Sequence, residues 1–316
     1  MTQKIIADSN TGILFIQLQV KCYLSLMKPL IIAGLIVITG LFACQQNKDQ
    51  WLAIQSEKIL DSIPSGSGLV IKNNSAFIIS DDGTGVYQLD LSNYHQTKIA
   101  IAGLASNQYQ EPKPIKHDFE SACVVQWKGN EFLVSFGSGS NSTSRDSLLM
   151  MNTSSFSDQK IISLHNFYQK MQMLTQTDST HWNIEGATMV KDRLFICNRG
   201  NNQIISCKLN GFLSWLLQSN HSFPPISFDK ITLPSINNRE ARLSGLCTLD
   251  ETRLLFCASV EDTPDWTKDG PVLGSYIGIY SISQKKPIVS YLLKNKNEKA
   301  LKQKIESVDI LKEESN

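Results

Sequence analysis

Residues 184–198 read IEGATMVKDRLFICN, and this stretch decides the fold. It opens on a short motif, a polar residue followed by a small one, and continues as a strand, a polar turn and a second, strongly apolar strand. The motif recurs at intervals of 53 to 65 residues. Its copies are Ser67-Gly68-Leu69, Glu120-Ser121-Ala122, Glu185-Gly186-Ala187, Ser244-Gly245-Leu246 and Glu306-Ser307-Val308. Such a period, with several strands in each unit, is typical of propeller blades.

Each repeat also has room for two further strands. Gly, Asn, Asp and Ser separate the apolar runs beyond residue 55, and no long stretch there shows a helical apolar period. Residues 85–91 and 275–282 are examples of a third strand, and residues 98–102 and 287–292 of a fourth. The sequence therefore predicts an all-β protein, a β-propeller of about five four-stranded blades. A β-sandwich of irregular hairpins is the alternative.

The last repeat is short. Only ten residues follow Glu306, which is room for one strand. Residues 58–63 lie just before the first motif, and they supply an outer strand that closes the ring. The middle strands of this blade are missing, so we expect an incomplete last blade with open strand edges, in a chain truncated relative to its relatives.

Composition and cysteine spacing exclude some classes of protein. The chain is 41% hydrophobic and 19% charged with a net charge of +1, which is ordinary for a globular protein and gives no reason to expect nucleic acid as a partner. No two cysteines form a CxxC pair, so the usual zinc and redox spacings are absent. Five cysteines fall in apolar runs, where we expect small buried side chains; a disulfide between two of them is the alternative. They are Cys123, Cys197, Cys207, Cys247 and Cys257.

The N-terminal region resembles a lipoprotein signal. Lys28 precedes an apolar run that ends in Leu41-Phe42-Ala43-Cys44, which is similar to the site where a signal peptidase cuts and the new N-terminal cysteine receives lipid. We therefore expect a signal peptide over 27–43, lipid on Cys44, a polar tether over 44–57 and the propeller over 58–316. Residues 1–26 are then expected to lie outside the true reading frame.

An uncleaved anchor helix built from residues 13–20 and 29–43 is the alternative to this signal peptide. Both interpretations place the mature domain in the cell envelope, as an outer-membrane lipoprotein on the periplasmic side or at the cell surface.

The fold would gather a polar site at one mouth of the central channel. The first strand of a blade lines the channel and the second runs antiparallel beside it, so the start of the first and the end of the second share a face. Glu120, Glu185 and Glu306 stand at starts of first strands. Asp81 and Asp82, Asn198 and Arg199, and Glu261 and Asp262 stand at ends of second strands, and Arg145 and Arg242 border the same mouth.

These residue types suggest two ligands. Carboxylates around a narrow channel repel one another unless a cation intervenes, and hard oxygen ligands suit calcium better than zinc. Guanidinium groups at the same mouth are suited to a phosphate or carboxylate. The structural alternative is that Glu120 and Glu185 fix strand entry by accepting backbone N–H groups, and that Asp82 belongs to a turn.

A set of short runs resembles a known group of proteins. They are Ser67-Gly68-Leu69 with Ile79-Ser80-Asp81-Asp82, Asp118-Phe119-Glu120-Ser121, Ile184-Glu185-Gly186-Ala187 with Asn198-Arg199-Gly200-Asn201, and Ser244-Gly245-Leu246. Over residues 60–311 they look like the phytase-like or SdiA-regulated propellers, and the whole pattern is similar to a family of uncharacterised bacterial propeller lipoproteins.

The resemblance implies a calcium-binding propeller and, in some members, phosphoester hydrolysis by metal-activated water. It makes Asp118, Glu120 and Glu185 channel-facing groups and places Asp82 near the metal, so that Asp82, Glu120 and Glu185 are the candidate metal ligands. Ser67 and Ser244 depart from the pattern, since they stand where carboxylates are expected. The dense acidic cluster of propeller phytases is not recognisable either.

Three functions follow from these observations. The first is a lipid-anchored propeller that binds a small anionic ligand or a partner protein, with calcium as a candidate cofactor. The second is a calcium-assisted phosphoesterase or esterase, in which the metal would activate water and arginines would hold the anion. The third is a structural role in envelope assembly.

Overall fold

The computed structural model describes residues 2–9, 12–19, 50–60, 62–104, 108–140, 143–218, 221–264 and 270–311, with the first two ranges described as backbone strands only. The first eleven strands in chain order are β1 (Thr2–Ser9), β2 (Gly12–Gln19), β3 (Trp51–Ile59), β4 (Gly66–Lys72), β5 (Ser75–Ser80), β6 (Gly85–Asp90), β7 (Gln96–Ala100), β8 (Cys123–Trp127), β9 (Asn130–Phe136), β10 (Ser147–Asn152) and β11 (Gln159–Ser163). The others are β12 (Ile184–Val190), β13 (Arg193–Asn198), β14 (Gln203–Lys208), β15 (Ile226–Lys230), β16 (Ser235–Ile236), β17 (Arg239–Glu240), β18 (Arg242–Thr248), β19 (Arg253–Glu261), β20 (Val272–Ser281), β21 (Lys286–Lys294) and β22 (Ile305–Leu311).

Two helices interrupt the strands of the described chain, α1 (His165–Thr175) and α2 (Leu209–Leu217). They pack against each other through aromatic rings, with the centroids of Phe167 and Phe212 4.7 Å apart. Among the described residues, no helix combines the length and the apolar character needed to cross a membrane.

The strands form a β-propeller, and the β-sandwich alternative is excluded. Successive antiparallel strands make four-stranded units in the orders β4–β7, β8–β11, β12–β15 and β18–β21. The last of these units continues into the strands of the fifth blade, because β21 pairs parallel with β3. The innermost strand of each sheet begins with one copy of the repeated motif, and neighbouring innermost strands contact one another around the axis. Within the described ranges this gives five blades, as the repeat predicts.

The fifth blade takes its strands from both parts of the chain. Its inner strand is β22, β1 pairs with β22, β2 pairs with β1, and β3 is the outer strand. An outer strand from this part of the chain does close the ring, but it is residues 51–59 and not the predicted 58–63. The middle positions, which the sequence leaves unfilled, are occupied by β1 and β2. The prediction of an incomplete last blade is thus corrected for this structure, because residues 2–19 form a hairpin that pairs with β22.

Apolar faces of adjacent sheets meet in the core. Phe136, Leu148, Ile184 and Ile205 are buried together between the second and third blades, and further clusters lie between the other blades. The five described cysteines are all free and buried, which confirms that they serve as small core side chains. Residues 20–49 lie outside the described residues, and with them the predicted signal peptide, Cys44 and the first residues of the predicted tether. Residues 51–57, which were also predicted to be tether, are part of β3.

Candidate functional site

The repeated motif is a β-bulge that faces the channel. Opposite β5, the register shifts between Gly66 and Gly68, so Ser67 is the extra residue. The same shift makes Glu185, Ser244 and Glu306 the extra residues of β12, β18 and β22. A bulge redirects a side chain and ends regular pairing. The first motif position is thereby displayed at the start of each of these inner strands.

The second motif position is small because the inner strands crowd together. A Cβ on Gly68 would lie 2.6 Å from the carbonyl carbon of Ser121, and one on Gly245 would lie 2.8 Å from the Cα of Ser307. Gly186 is packed in the same way against the backbone of Leu246. The second residue of the motif therefore has a structural role. The crowding does not involve the first residue, which is the one that the alternative interpretation concerned, and the first residue is free for other roles.

A cavity of about 540 Å³ opens where these motifs lie, and we call it the channel mouth. It is lined mainly by polar atoms from all five blades and the loops that join them. Its charged lining residues are Asp81, Lys113, Lys116, Asp118, Glu120, Arg145, Glu185, Arg199, Glu261, Lys304 and Glu306. A second cavity of about 900 Å³ lies at the other ends of the inner strands. None of the charged or polar residues that the sequence predicts for the site lines this cavity.

Asp118 is the centre of one half of the mouth. It is buried, and its carboxylate bonds to Lys116, to Ser138 and, at 3.2 Å, to Arg145 Nη1. Its φ of 55° is the left-handed conformation, which Asp adopts more readily than most residues. Arg145 also donates to Ser140 Oγ at 2.8 Å. The Gly- and Ser-rich segment after β9 thus contributes two hydroxyl groups, those of Ser138 and Ser140, to the site.

Arg199 is the centre of the other half. This guanidinium is buried, and its Nη2 donates to Glu261 Oε2 at 2.7 Å while its Nε lies 3.8 Å from Glu185 Oε1. Asn183 Nδ2 donates to the same Glu185 oxygen at 2.7 Å. Burial opposes the charged form of Arg199, but the carboxylates of Glu185 and Glu261 outweigh it and raise its pKa.

Two motif carboxylates hold their protons unusually well. Burial raises the pKa of Glu185 to about 7, against the opposing influence of Arg199 and Lys304. Burial, followed by the nearby carboxylates of Glu185 and Asp118, holds the pKa of Glu120 well above its usual range. Glu185 can therefore exchange its proton near neutral pH, which makes the net charge of the mouth depend on pH.

The predicted candidates divide into two groups. The structure brings Asp118, Glu120, Glu185, Glu306, Arg145 and Arg199 together in the mouth. Arg242 and Asn198 are not among its lining residues. The Arg242 guanidinium donates to the carbonyl of Gly200 at 3.0 Å. Asn198 accepts the backbone N–H of Asn183 at 2.7 Å, so it positions the segment that leads into β12.

The metal candidates are arranged differently from the predicted set. Asp82 lies outside the mouth, where its carboxylate accepts from Gln110 at 2.9 Å. The carboxylates that share one place are those of Asp81, Asp118 and Glu120, whose ligand atoms lie within 4.8 Å of one another. Oxygen donors of this kind suit calcium. However, the ammonium of Lys116 already bonds to two of the three, so the arrangement present does not fit a calcium ion.

Sequence reasoning missed the lysines. Lys116 and Lys304 stand two residues before Asp118 and Glu306, and Nζ of Lys304 lies 3.0 Å from Glu306 Oε2. In extended chain, residues two apart share a face. The position of Lys304 two residues before Glu306 could therefore have predicted from the sequence that the two side chains pair. For Lys116 the left-handed φ of Asp118 interrupts the alternation, and only the structure shows the contact.

A family model matches residues 62–316, which is most of the chain. The chain belongs to a family of unknown function, DUF6929. The match includes every repeat of the motif and every charged residue of the mouth. No curated protein matches the sequence.

Solved structures that resemble this member of the family are similar in fold and distant in sequence. A chain of the Kuenenia stuttgartiensis hydrazine synthase is 12% identical with a TM-score of 0.36, over 76% of this chain and 52% of that one. A chain of a nidogen/laminin complex is 10% identical with a TM-score of 0.43, over 98% of each. The β-propeller domain of Myceliophteria thermophila Cps50 (Swd1) is 11% identical with a TM-score of 0.34, over 77% of this chain and 58% of that one. The chain thus spans about half the length of the synthase chain, and none of these likenesses extends to function.

Proposed function

We propose that this protein is a binding propeller of the cell envelope whose channel mouth takes a small anionic ligand. The coarse part of this statement follows from the fold, which is suited to binding a ligand or partner at its channel. The volume of the mouth, about 540 Å³, is within the usual range of small-molecule sites. Its polar lining suits a ligand that is itself rich in oxygen atoms.

The observation that carries the proposal is the state of the two arginines in the wall. Among the described residues, Arg145 Nε and Arg199 Nη1 are buried and have no hydrogen-bond acceptor. Leaving a buried donor without a partner costs about 1–3 kcal/mol, and more for a charged group. An oxyanion that enters the mouth, with a small adjustment of these side chains, would supply the missing acceptors and would meet guanidinium groups suited to it.

The protonation of carboxyl groups in the mouth also favours an anionic ligand. The raised pKa values of Glu120 and Glu185 increase the fraction of each carboxyl that is protonated near neutral pH. The cations of the mouth then face fewer ionised carboxylates. A protonated carboxyl also donates a hydrogen bond, which an anionic oxygen accepts.

One acceptor in the wall suggests what else the ligand carries. Asp81 Oδ1 is buried and has no hydrogen-bond donor among the described residues. A hydroxyl group of a ligand would donate to it. The ligand class that fits both the free donors and this acceptor is a hydroxylated anion, such as a sugar acid or a sugar phosphate.

Thermal melting in the presence of chosen probes tests the proposal. Gluconate and glucose 6-phosphate should raise the melting temperature, whereas neutral glucose and cationic glucosamine should not. Since a ligand that binds only the folded state contributes about 2.7 kcal/mol at 100 times its Kd, the effect should grow with concentration. Equal responses to glucose and to the two anions would contradict an anion site.

A matched pair of variants locates the site. Arg145→Met removes a guanidinium from the wall and should abolish the response to anions. Arg253→Met removes one from a remote turn, where Arg253 pairs with Asp250, and should keep the response. If both variants respond like the parent protein, the anion binds elsewhere.

Several finer parts stay predictions. Lipid on Cys44 and the envelope location rest on the sequence, since residues 20–49 lie outside the described part. Calcium as a cofactor and calcium-assisted ester hydrolysis rest on the resemblance to phytase-like propellers. A partner protein is the other expected occupant of the mouth. Capture of such a partner, with no response to small anions, would favour it over the anion proposal.

A further inference from the structure

The ammonium of Lys116 lies among the carboxylates that are otherwise best placed for a metal ion. Its Nζ is 2.6 Å from Asp81 Oδ2, and it bonds to Asp118 Oδ1 as well. The side chain is only 12% exposed. The two carboxylates come from different blades, since Asp81 follows β5 and Asp118 precedes β8. Lys116 therefore joins the first and second blades at the channel.

A calcium ion at this place would conflict with the groups around it. Calcium binds six to eight oxygen ligands at about 2.3–2.6 Å. Here one oxygen of Asp81 and one of Asp118 are bonded to Lys116, and the other oxygen of Asp118 bonds to Arg145 and Ser138. A divalent ion would have to displace an ammonium and would lie close to a guanidinium of the same charge sign.

Two of the three motif carboxylates have cations of their own. Glu306 pairs with the largely buried Lys304 at 3.0 Å, and Glu185 lies beside the buried Arg199. Burial opposes the charged form of Lys116, yet Asp118 and Asp81 outweigh it and raise its pKa, so this lysine stays charged at physiological pH. Apart from Glu120, the carboxylates that line the mouth are thus balanced by cations from within the chain.

We propose that Lys116 is a built-in cation that occupies the position of a metal ion, so that the channel mouth is held together without calcium. The inference does not depend on which ligand the mouth binds. It also makes a gain-of-function prediction. Removing the ammonium while keeping the carboxylates should create a calcium site that the unmodified protein lacks.

The test compares melting temperatures in calcium and in chelator. The unmodified chain should melt at the same temperature in both. Lys116→Met keeps the length of the side chain and loses its charge; it should melt lower than the parent in chelator and recover by several degrees in millimolar calcium. Lys285→Met is the matched control, because Lys285 pairs with Asp229 at 3.1 Å on the surface and its loss should create no calcium response.

Two results would overturn the proposal: a calcium-dependent rise in the unmodified chain, or a Lys116→Met variant that folds but ignores calcium. A variant that folds only when calcium is added would support it. If the variant folds in neither condition, the unmodified chain is titrated with terbium to test whether it binds a metal ion at this place. The measured signal is terbium emission excited through Trp182, which lies in the cavity wall. Saturable emission that Asp118→Asn abolishes would count against a built-in cation, and absence of emission would support it.

Discussion

Replacing Glu185 by glutamine should change how stability depends on pH. Glu185 is 4% exposed, accepts from Asn183 at 2.7 Å and lies 3.8 Å from Arg199 Nε. Glutamine has nearly the same shape and keeps an acceptor for Asn183. The substitution therefore removes the titrating group and leaves most of the packing in place.

The size of the effect follows from the pKa of Glu185. Burial raises it from an ordinary value of 4.5 to about 7 in the folded protein. Below pH 4.5 the group is protonated in both states and contributes no difference. As the pH rises above 4.5, the unfolded chain releases its proton first, so the folded state loses relative stability until the pH exceeds about 7. At 1.36 kcal/mol per pKa unit, the full loss is roughly 3 kcal/mol.

Urea unfolding at pH 5 and pH 8.5 measures this loss. Between these two values the unmodified chain should lose roughly 2–3 kcal/mol that Glu185→Gln retains. Glu120 also titrates in this direction, and because the Glu185 carboxylate raises its pKa, the difference between the two proteins reports Glu185 together with its influence on Glu120. Glu251→Gln is the control, because Glu251 is a 72% exposed partner of Lys191 and should shift neither value.

A constant difference between the two proteins at pH 5 and pH 8.5 would refute the reasoning. It would mean that Glu185 is ionised in the folded state throughout this range, with Arg199 and Lys304 outweighing burial. The mouth would then carry a fixed negative charge at this position, and the argument for an anionic ligand would lose its support from protonation.

Three further changes test the architecture. Gly186→Val places atoms against the backbone of Leu246, so urea unfolding should show a loss of about 1–3 kcal/mol, and an unchanged midpoint would contradict the crowding. Asp118→Asn leaves Lys116 and Arg145 facing one carboxylate fewer and should lower stability by about 3 kcal/mol or more in the same measurement, whereas a neutral result would show that these charges are well solvated. A chain that lacks residues 2–19 should melt lower and elute as aggregates in size-exclusion chromatography, and a monomer with an unchanged melt would show that β1 and β2 are dispensable.

The repeat was sufficient to predict the propeller, because the same bulge recurs in four of the five described inner strands. Crowding of backbones selects Gly or Ser at positions such as Gly186 and Gly245, and this leaves a pattern in the sequence. The hairpin of β1 and β2 was not predicted, although its two apolar runs flank Asn10-Thr11, a turn-like pair of residues. The pairing of β1 with β22 was not predicted because these two strands lie at opposite ends of the sequence.

The site was predictable in part for the same physical reason. Glu120 and Glu185 occupy equivalent positions in their repeats, at the starts of first strands. Equivalent positions of repeated blades lie on the same face of a propeller, so the spacing of the motif predicts that these carboxylates lie together. The choice of Asp81 over Asp82 depends on which of two adjacent side chains faces the channel, and these two residues lie in a bend after β5 whose conformation the sequence does not specify. The role of Lys116 depends on contacts between blades, which no local pattern records.

Closure of the fifth blade conflicts with the predicted cleavage before Cys44. Cleavage there would separate residues 2–19 from the mature chain, leaving β22 and β3 as the first and fourth strands of a sheet without its middle. With neighbouring strands about 4.8 Å apart, the gap would be about 14 Å, too wide for any hydrogen bond between them. In a lipidated mature form the positions of β1 and β2 would be left empty, or would be filled by strands from outside the mature chain, such as those of a second copy. The intact mass of the purified protein distinguishes the two states, because a chain that starts at Cys44 cannot also contain β1 and β2.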